Sequence, residues 1–476
     1  MRSYLRHSLL LSALLLIFST IHVDAQPRLS NGPSRTFLPL VIAPPRPAAL
    51  NTFGFDLPPG SSDAAIGYGT QAKPKWSRAG VISWSDIEPV RGAYRWENLG
   101  YLDSNLQRLH VAGIEPVLVV HRTPSWAQKL PGRICGPMKP ENIDDFAKFM
   151  AALVARYSSG ARAVKYWEIW NEPDIPPDIA PDEGGFGCWG SWSTPTANGA
   201  YYGEMIKHVY PAIKSANPKA TVLAGALYYY WPDDSISRSF LQGFLGTGAG
   251  NSFDALSFHA YGEWGASDLL INKTVRIRQI LANYGLSNKP LFATEIAAQC
   301  LSNAITSCPP NFDTWKQKQG NYAARIYAEA LALKLQGAFW FTLALSKPGY
   351  AFSQLVDEDN GTLTPRPAYY AFRNSALLLQ GASYIGPPIH EPAADQVDKV
   401  QVLVFQKPGS KLYVLWVPQI DFPKPFDLQV PIGAKAMCTD HLDLDVAATY
   451  PCSDINKDGF IPRAVNELPQ YVEVFS

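Results

Sequence analysis

The sequence has few charged residues and no excess of either sign. Only 17% of its 476 residues are Asp, Glu, Lys or Arg, and 41 basic residues balance 41 acidic ones. A chain without net charge has no long-range electrostatic attraction to nucleic acid or to an anionic membrane surface. We therefore expect no nucleic-acid partner, and a neutral ligand suits this composition better.

Several fingerprints of metal and cofactor sites are also absent. The six cysteines include no Cys-x-x-Cys pair, and no two histidines have the spacing of paired metal ligands. No glycine-rich loop of the kind that binds dinucleotides follows the first predicted strand. The sequence therefore predicts neither a metal site nor a cofactor.

The N-terminus is typical of an exported protein. Arg2 and Arg6 precede an apolar stretch, Leu9 to Phe18, and Val23 to Ala25 has the residue spacing that signal peptidase requires. Because this stretch is too short to span a bilayer comfortably, we expect a cleaved signal peptide at 1–25 and a secreted chain rather than a membrane anchor. Residues 26–48 are rich in proline and predict a semi-extended linker.

Export favours disulfides, and six cysteines allow up to three of them. Sequence alone is compatible with fifteen pairings. Proximity along the chain favours three pairs: Cys300 with Cys308, Cys438 with Cys452, and Cys135 with Cys188.

Short apolar runs alternate with amphipathic stretches between residues 49 and 380. Near-continuous apolar runs are typical of strands buried on both faces. The runs are Thr52 to Leu57, Gly80 to Trp84, Pro116 to His121, Tyr166 to Asn171, Thr221 to Leu227, Ala255 to Tyr261, Leu291 to Ile296 and Ala338 to Leu343. Between them, apolar residues repeat at three and four, as at Leu99, Leu102, Leu106 and Leu109. This alternation predicts an α/β fold, a (β/α)8 TIM barrel, with a doubly wound open sheet as the alternative.

Beyond residue 380 the pattern changes to strands without long helices. Val400 to Phe405 and Leu412 to Val417 are strand-like runs on either side of a Lys-Pro-Gly turn, and Tyr471 to Phe475 is another. These runs predict a small all-β, sandwich-like domain over residues 385–476. Asp454 to Gly459 matches the first half of a calcium loop, but Val465 stands at the twelfth position, so a polar turn is the preferred interpretation.

Candidate catalytic residues stand at the ends of predicted strands, because the carboxyl ends of barrel strands build the site. The fourth run ends in Asn171-Glu172-Pro173 and the seventh contains Thr294-Glu295. Cleavage of a glycosidic bond needs two such carboxyl groups. One donates a proton to the leaving oxygen, and the other attacks the anomeric carbon or activates water.

These residues also carry a family resemblance. Tyr166 to Pro173 resembles the acid/base signature of glycoside hydrolase clan A, which includes the cellulase-like family 5 and the xylosidase-like family 39. Trp84 to Pro89 resembles the second-strand region of these enzymes, and Val356 to Tyr370 resembles their exit from the eighth strand. The resemblance covers roughly residues 50–380 and implies a retaining hydrolase whose substrate is a carbohydrate.

The resemblance implies roles for individual residues. Glu172 matches the acid/base and Glu295 the nucleophile. Asn171 matches the asparagine that binds the sugar 2-hydroxyl, and Tyr261 matches a tyrosine that hydrogen-bonds the nucleophile. Further candidates for contact with the substrate are Arg78, His121, Trp126, His259, Trp264 and Trp340.

Some of these matches depend on the structure. Arg78 matches the arginine that keeps the nucleophile ionised only if the second strand starts before Gly80. Trp340 matches the aromatic floor under the sugar, whereas His259 equally fits an ordinary polar residue of the barrel interior. Glu168 lies well inside the fourth strand and is interpreted as a buried structural carboxylate.

Retention of anomeric configuration requires carboxyl groups roughly 5 to 5.5 Å apart. Two carboxylates this close cannot both ionise at low cost, so one pKa rises and that group becomes the acid. The pair predicts a bell-shaped dependence of activity on pH.

Two other functions fit part of the sequence. One is a catalytically inactive carbohydrate-binding barrel, against which the presence of both glutamates argues. The other is a metal-dependent barrel hydrolase, for which the paired metal-ligand motif is missing. The resemblance suggests a β-linked plant-type glycan as substrate, although family 39 also contains enzymes that act on α-linked uronic acids. The sequence leaves open endo or exo action, transglycosylation instead of hydrolysis, and the oligomeric state.

Overall fold

The computed structural model describes residues 51–58, 61–180, 186–229, 233–263, 269–299, 312–344, 353–359, 361–387, 389, 401–417, 426–431, 435–440, 449–451, 460–465 and 467–475. Several predictions lie outside these residues: the signal peptide, the linker, Trp264, Cys300, Cys308, Cys452 and the Asp454 to Gly459 loop.

The first eight strands close into a parallel barrel. Each strand pairs with the next, and the first pairs with the eighth. The strands are β1 (Phe53–Asp56), β2 (Trp76–Ser83), β3 (Glu115–His121), β4 (Tyr166–Ile169), β5 (Thr221–Leu227), β6 (Ala255–Glu263), β7 (Leu291–Gln299) and β8 (Gly337–Trp340). Closure confirms the predicted TIM barrel and excludes the open sheet, whose edge strands would have only one neighbour.

Strand β2 starts four residues earlier than the apolar run predicted. It begins at Trp76 rather than Gly80. The apolar pattern missed its first residues because Ser77 and Arg78 are polar, although both are buried inside the barrel. Gly80 has a φ of +143° at the point where the register with β3 shifts, as in a bulge. The earlier start places Arg78 within the barrel wall.

Helices between the strands cover the outside of the barrel. They are α1 (Asp63–Gln71), α2 (Trp84–Ile87), α3 (Gly100–Val111), α4 (Ile143–Arg156), α5 (Pro195–Ala216), α6 (Ser235–Gly246), α7 (Leu269–Asn283), α8 (Phe312–Ala332) and α9 (Pro367–Leu379). Four short 3-10 turns lie at Trp96–Leu99, Pro140–Asn142, Gly160–Arg162 and Ala249–Asn251. No helix within the described ranges is both long and apolar enough to cross a membrane.

The pattern of α4 shows why these segments are helical. Its buried face repeats at three and four residues through Phe146, Phe149, Met150, Leu153 and Val154. Asp144 and Asp145 occupy the first turn, where the helix dipole favours negative charge.

The barrel interior is filled at the end where the strands begin. One buried cluster takes a residue from each of six strands: Trp76, Val117, Leu223, Ala255, Phe292 and Phe339. Side chains packed in this way close that end, so a substrate has access only to the carboxyl ends of the strands.

An antiparallel β domain follows the barrel and confirms the predicted change of pattern. The hairpin of β9 (Val356–Asp359) and β10 (Thr362–Pro365) leads into α9. The remaining strands are β11 (Ser383–Tyr384), β12 (Gln401–Lys407), β13 (Ser410–Trp416), β14 (Phe426–Pro431), β15 (Lys435–Asp440), β16 (Thr449–Pro451), β17 (Phe460–Val465) and β18 (Gln470–Phe475).

Six of these strands form one sheet in the order β11-β12-β13-β18-β15-β16, and β14 pairs with β17. The hydroxyl of Tyr471 on β18 donates to the carbonyl oxygen of Ala324 on α8. Lys318 of α8 pairs with Glu467, so the sheet is fixed to the outside of the barrel through α8.

Candidate active site

Glu172 stands on an irregular segment that follows β4. Trp170 and Glu172 have φ angles of 76° and 45°, a left-handed conformation that is unfavourable for residues with a side chain. Both are held by neighbouring strands. The Trp170 N–H donates to the carbonyl of Val120 and the Glu172 N–H to that of Ala226, each at 2.9 Å. The flanking strands β3 and β5 thus stabilise the backbone that presents Glu172 to the barrel mouth.

The long loop after β4 packs directly against this segment. A β-carbon added to Gly187 would lie 2.3 Å from the carbonyl oxygen of Asn171. The next residue, Cys188, forms a disulfide with Cys135 of the β3–α4 loop, which confirms that predicted pair. The two loops and the catalytic segment are therefore one tightly packed unit.

Arg78 is the positive centre of the site. Its Nε donates to Glu168 at 2.9 Å, Nη2 donates to the side-chain oxygen of Asn171 at 2.6 Å, and Nη1 donates to Glu295. Asp56 lies 4.0 Å away. Burial opposes the charged guanidinium, but these carboxylates outweigh it and raise the pKa of Arg78 above its ordinary value. Arg78 therefore stays cationic and ties β2 to β4 and β7.

Glu295, at the centre of β7, has two donors. Arg78 binds one carboxylate oxygen, and the hydroxyl of Tyr261 donates to the other. Burial raises the pKa of Glu295, while Arg78 and the Tyr261 hydrogen bond act in the opposite direction. Tyr261 and Arg78 thus stabilise the ionised form of this carboxyl group.

Glu172 has a different environment. Its Oε1 lies 2.7 Å from Nδ1 of His259, and the same nitrogen is 3.4 Å from Glu295. Burial, followed by the charge of Glu295, raises the pKa of Glu172 well above its ordinary value. Burial also holds the pKa of His259 well below its ordinary value, helped by the charges of Arg78 and Lys273, so the imidazole is neutral.

The two glutamates are close enough to act on one bond. One carboxylate oxygen of each, together with a ring nitrogen of His259, lies within 4.8 Å of the others. Among the described residues, this trio also has the spacing of metal ligands. However, the Arg78 guanidinium already holds a positive charge against Glu295, which opposes a second cation at the same carboxylate.

Lys273 is part of the site although sequence reasoning missed it. Its Nζ donates to the carbonyl oxygens of Tyr228 at 2.7 Å and His259 at 3.0 Å, and only 3% of the residue is exposed. Burial lowers the pKa of Lys273 to about 7, against the opposing charges of Asp174 and Glu172. The signal was a charged residue on the apolar stripe of α7, between Leu270 and Ile277.

Asp174 forms the outer part of this arrangement. Its carboxylate accepts hydrogen bonds from the N–H groups of Tyr228 and Tyr229, both at 2.9 Å, and from the hydroxyl of Ser237 at 2.5 Å. These bonds fix the backbone after β5 at the rim of the barrel.

His121 closes the β3 side of the site. It is fully buried, its ring lies edge-on to Trp170, and neither ring nitrogen has a hydrogen-bond partner among the described residues. Burial, with the charges of Arg122 and Arg78, holds its pKa well below the ordinary value, so it is a neutral donor and acceptor.

The two predicted tryptophans that the structure describes, Trp340 and Trp126, differ in their exposure to solvent. Trp340 is fully buried and donates its indole N–H to the carbonyl of Ser353 at 2.7 Å. The next residue, Phe341, packs edge-on against Tyr261 at 5.8 Å between ring centroids and is partly exposed. Trp126 donates to the carbonyl of Glu88 at 3.0 Å and is partly buried. The sequence placed Phe341 inside the predicted run Ala338 to Leu343, but β8 ends at Trp340, so strand alternation did not indicate that Phe341 contacts Tyr261.

A model of the cellulase family, glycosyl hydrolase family 5, matches residues 82–335, just over half of the chain. The chain belongs to glycosyl hydrolase family 5. The family 5 assignment confirms the resemblance to clan A, and with it a retaining glycosidase with a carbohydrate substrate. No curated protein matches the sequence significantly.

Solved structures share the fold of this family 5 chain. A family 39 glycoside hydrolase from Bacteroides cellulosilyticus has a TM-score of 0.66 and 20% identity, covering 90% of this chain and 81% of its own. A family 30 endoxylanase from Clostridium papyrosolvens has a TM-score of 0.61 and 11% identity, covering 90% and 97%. A monomeric β-xylosidase from Caulobacter crescentus has a TM-score of 0.55 and 16% identity, covering 89% and 95%.

Proposed function

We propose that this chain is a secreted glycosidase that cleaves β-linked, plant-type glycans or oligosaccharides by double displacement. Glu295 is the nucleophile and Glu172 the acid/base. The assignment rests on the different surroundings of the two carboxyl groups, which have one oxygen each within 4.8 Å of the other. Arg78 and Tyr261 both donate to Glu295, whereas Glu172 faces a neutral histidine.

In the first step, Glu172 donates its proton to the glycosidic oxygen while a carboxylate oxygen of Glu295 attacks the anomeric carbon. The bond to the leaving group breaks, and a glycosyl ester forms on Glu295. Esterification removes the negative charge of Glu295, which is one cause of the raised pKa of Glu172. Glu172 then accepts a proton from water as the water attacks the anomeric carbon, and both glutamates are restored.

The neighbouring residues prepare this exchange. His259 hydrogen-bonds Oε1 of Glu172, which holds the carboxyl group in place and leaves its other oxygen to carry the acid proton. Arg78 fixes Asn171 beside the nucleophile, where an amide can bind the sugar 2-hydroxyl. His121, with no described partner for its ring nitrogens, is suited to a sugar hydroxyl.

The substrate class is supported by three features. The chain carries no net charge, the family is that of the cellulases, and the similar structures include an endoxylanase and a β-xylosidase. The six cysteines and the Cys135–Cys188 disulfide support an oxidising, extracellular location.

Azide rescue separates the two roles. The purified chain and the variants Glu295→Ala and Glu172→Ala are assayed on aryl β-glycosides, with the exposed Glu97→Ala as control. We expect Glu295→Ala to lose at least ~10³-fold, about 4 kcal/mol of barrier. Azide replaces water in the second step of Glu172→Ala and gives a β-glycosyl azide. In Glu295→Ala it replaces the nucleophile and gives an α-glycosyl azide.

Identical product configurations in the two variants, or a Glu295→Ala chain that keeps most of its activity, contradict the assignment. A wild-type chain that binds glycans but cleaves none supports the inactive barrel instead.

A further inference from the structure

A groove lies between the loops that follow β3 and β4. Its volume is about 370 Å³, and its lining includes Lys129, Asp178, Trp192, Asn198 and Tyr201. We call it the Trp192 groove. None of its lining residues donates to or accepts from the carboxyl groups of Glu172 and Glu295.

Trp192 is 56% exposed, and it is the only exposed tryptophan among the residues that the structure describes. Its indole N–H donates to both carboxylate oxygens of Asp178, at 2.9 and 2.8 Å. An apolar ring of this size is unfavourable in water, yet here a charged acceptor holds it in one orientation. A fixed, solvent-facing aromatic plane is suited to stacking against the C–H face of a sugar ring.

The groove is lined by one basic and one acidic side chain, Lys129 and Asp178, so its lining has no net charge. Asp178 accepts from Trp192, and the Lys129 ammonium lies 3.9 Å from the centroid of the Tyr201 ring. The hydroxyls of Ser191 and Ser193 lie on its rim, 3.4 Å from each other. A lining without net charge, with hydroxyls and one aromatic plane, favours a neutral, hydroxyl-rich ligand over an ion.

The groove is rigidly connected to the catalytic segment. A β-carbon added to Gly190, which lines the groove, would lie 2.0 Å from the carbonyl oxygen of Asp174. The N–H of Trp189 donates to the carbonyl of Pro173 at 3.1 Å, and Cys188 carries the disulfide. A glycan held in the groove therefore keeps a constant position relative to Glu172.

We infer that the Trp192 groove is a second carbohydrate-binding site, which holds sugar residues of a neutral glycan chain away from the bond that is cleaved. The choice of glycan rests on the proposed function, but binding in the groove does not require turnover.

Binding is measured in the full chain with Glu295→Gln, which prevents cleavage, by affinity electrophoresis in soluble xylan, mixed-linkage β-glucan and glucomannan. We expect Trp192→Ala to raise the dissociation constant for at least one polymer fivefold or more. Asp178→Ala, which leaves the ring but removes its anchor, has a smaller effect in the same direction. The control is Tyr284→Ala, an exposed aromatic that follows α7 at the opposite end of the barrel.

The inference is wrong if Trp192→Ala binds as tightly as its parent, or if the parent binds none of the three polymers. In the active chain, Trp192→Ala should also lower the ratio of kcat/KM on polymer to kcat/KM on an aryl glycoside at least fivefold. A ratio within twofold of wild type contradicts the inference. The azide products, which test the proposed function, do not depend on this result.

Discussion

Lys273 donates to the backbone carbonyl of His259 at 3.0 Å, and the ring of the same histidine hydrogen-bonds Glu172. A buried ammonium thus contacts the backbone of the residue that hydrogen-bonds the proposed acid/base. The charge of Lys273 is one of the influences that lower the pKa of Glu172, against burial, Glu295 and Asp174, which raise it.

Replacing Lys273 with Met should raise the pKa of Glu172 further, because the positive charge that favours its ionised form is gone. Glu172 must be protonated for the first step, so the alkaline limb of kcat/KM moves to higher pH. The pH profile on an aryl glycoside measures the shift. Lys289→Met is the matched control, since that lysine also donates to a carbonyl, that of Phe253, at the opposite end of β6. An unchanged alkaline limb contradicts the prediction.

Tyr261→Phe should lower kcat/KM by roughly 10- to 100-fold, about 1.4 to 2.7 kcal/mol. The variant loses a hydrogen bond that favours ionised Glu295, so the pKa of Glu295 rises and the acid limb also moves to higher pH. Kinetics from acid to neutral pH measure both effects. Tyr101→Phe removes a hydroxyl that donates to the carbonyl of Val81 on the barrel exterior, and its acid limb should stay in place. Equal shifts in the two variants would argue against a specific role for Tyr261.

Gly187→Ala should lower kcat at least tenfold. The new methyl group would lie 2.3 Å from the carbonyl of Asn171 and 2.7 Å from that of Glu172, so the catalytic segment or the loop must move. Small displacements of catalytic groups have large effects on rate. Gly246→Ala, at the end of α6 with open space around it, is the control. Wild-type kinetics in Gly187→Ala would contradict the prediction and show that the loop moves while Glu172 keeps its position.

Replacing Cys135 and Cys188 together with serine should lower the free energy of unfolding by about 2 to 4 kcal/mol. The disulfide closes a loop with a sequence separation of 53, which restricts the unfolded chain. Urea unfolding of the oxidised chain and the double variant measures the difference. Similar midpoints and slopes in both would mean that the close packing of Gly187 and Gly190, rather than the covalent bond, holds the two loops together.

The strands that position Glu172 and Glu295 could be predicted because strands buried on both faces have a near-continuous apolar pattern, although β7 continues past Glu295 to Gln299. Arg78 was harder to predict, since a polar residue inside a strand interrupts that pattern. The carboxylates that it binds, Glu168 and Glu295, come from strands far along the chain. The role of Lys273 in the site depends on which backbone carbonyls its ammonium contacts once α7 has packed against the barrel. No local pattern in the sequence specifies that contact.

The guanidinium of Arg78 joins residues that lie 90 and 217 positions away in the chain. Such non-local contacts form late, because closing long loops costs entropy before the contacts can compensate. A nascent or nicked chain whose ring of strands is incomplete cannot bring the carboxyl groups of Glu168 and Glu295 together around Arg78. Recovery of activity during refolding therefore reports completion of the barrel, and it should follow the recovery of helical signal rather than accompany it.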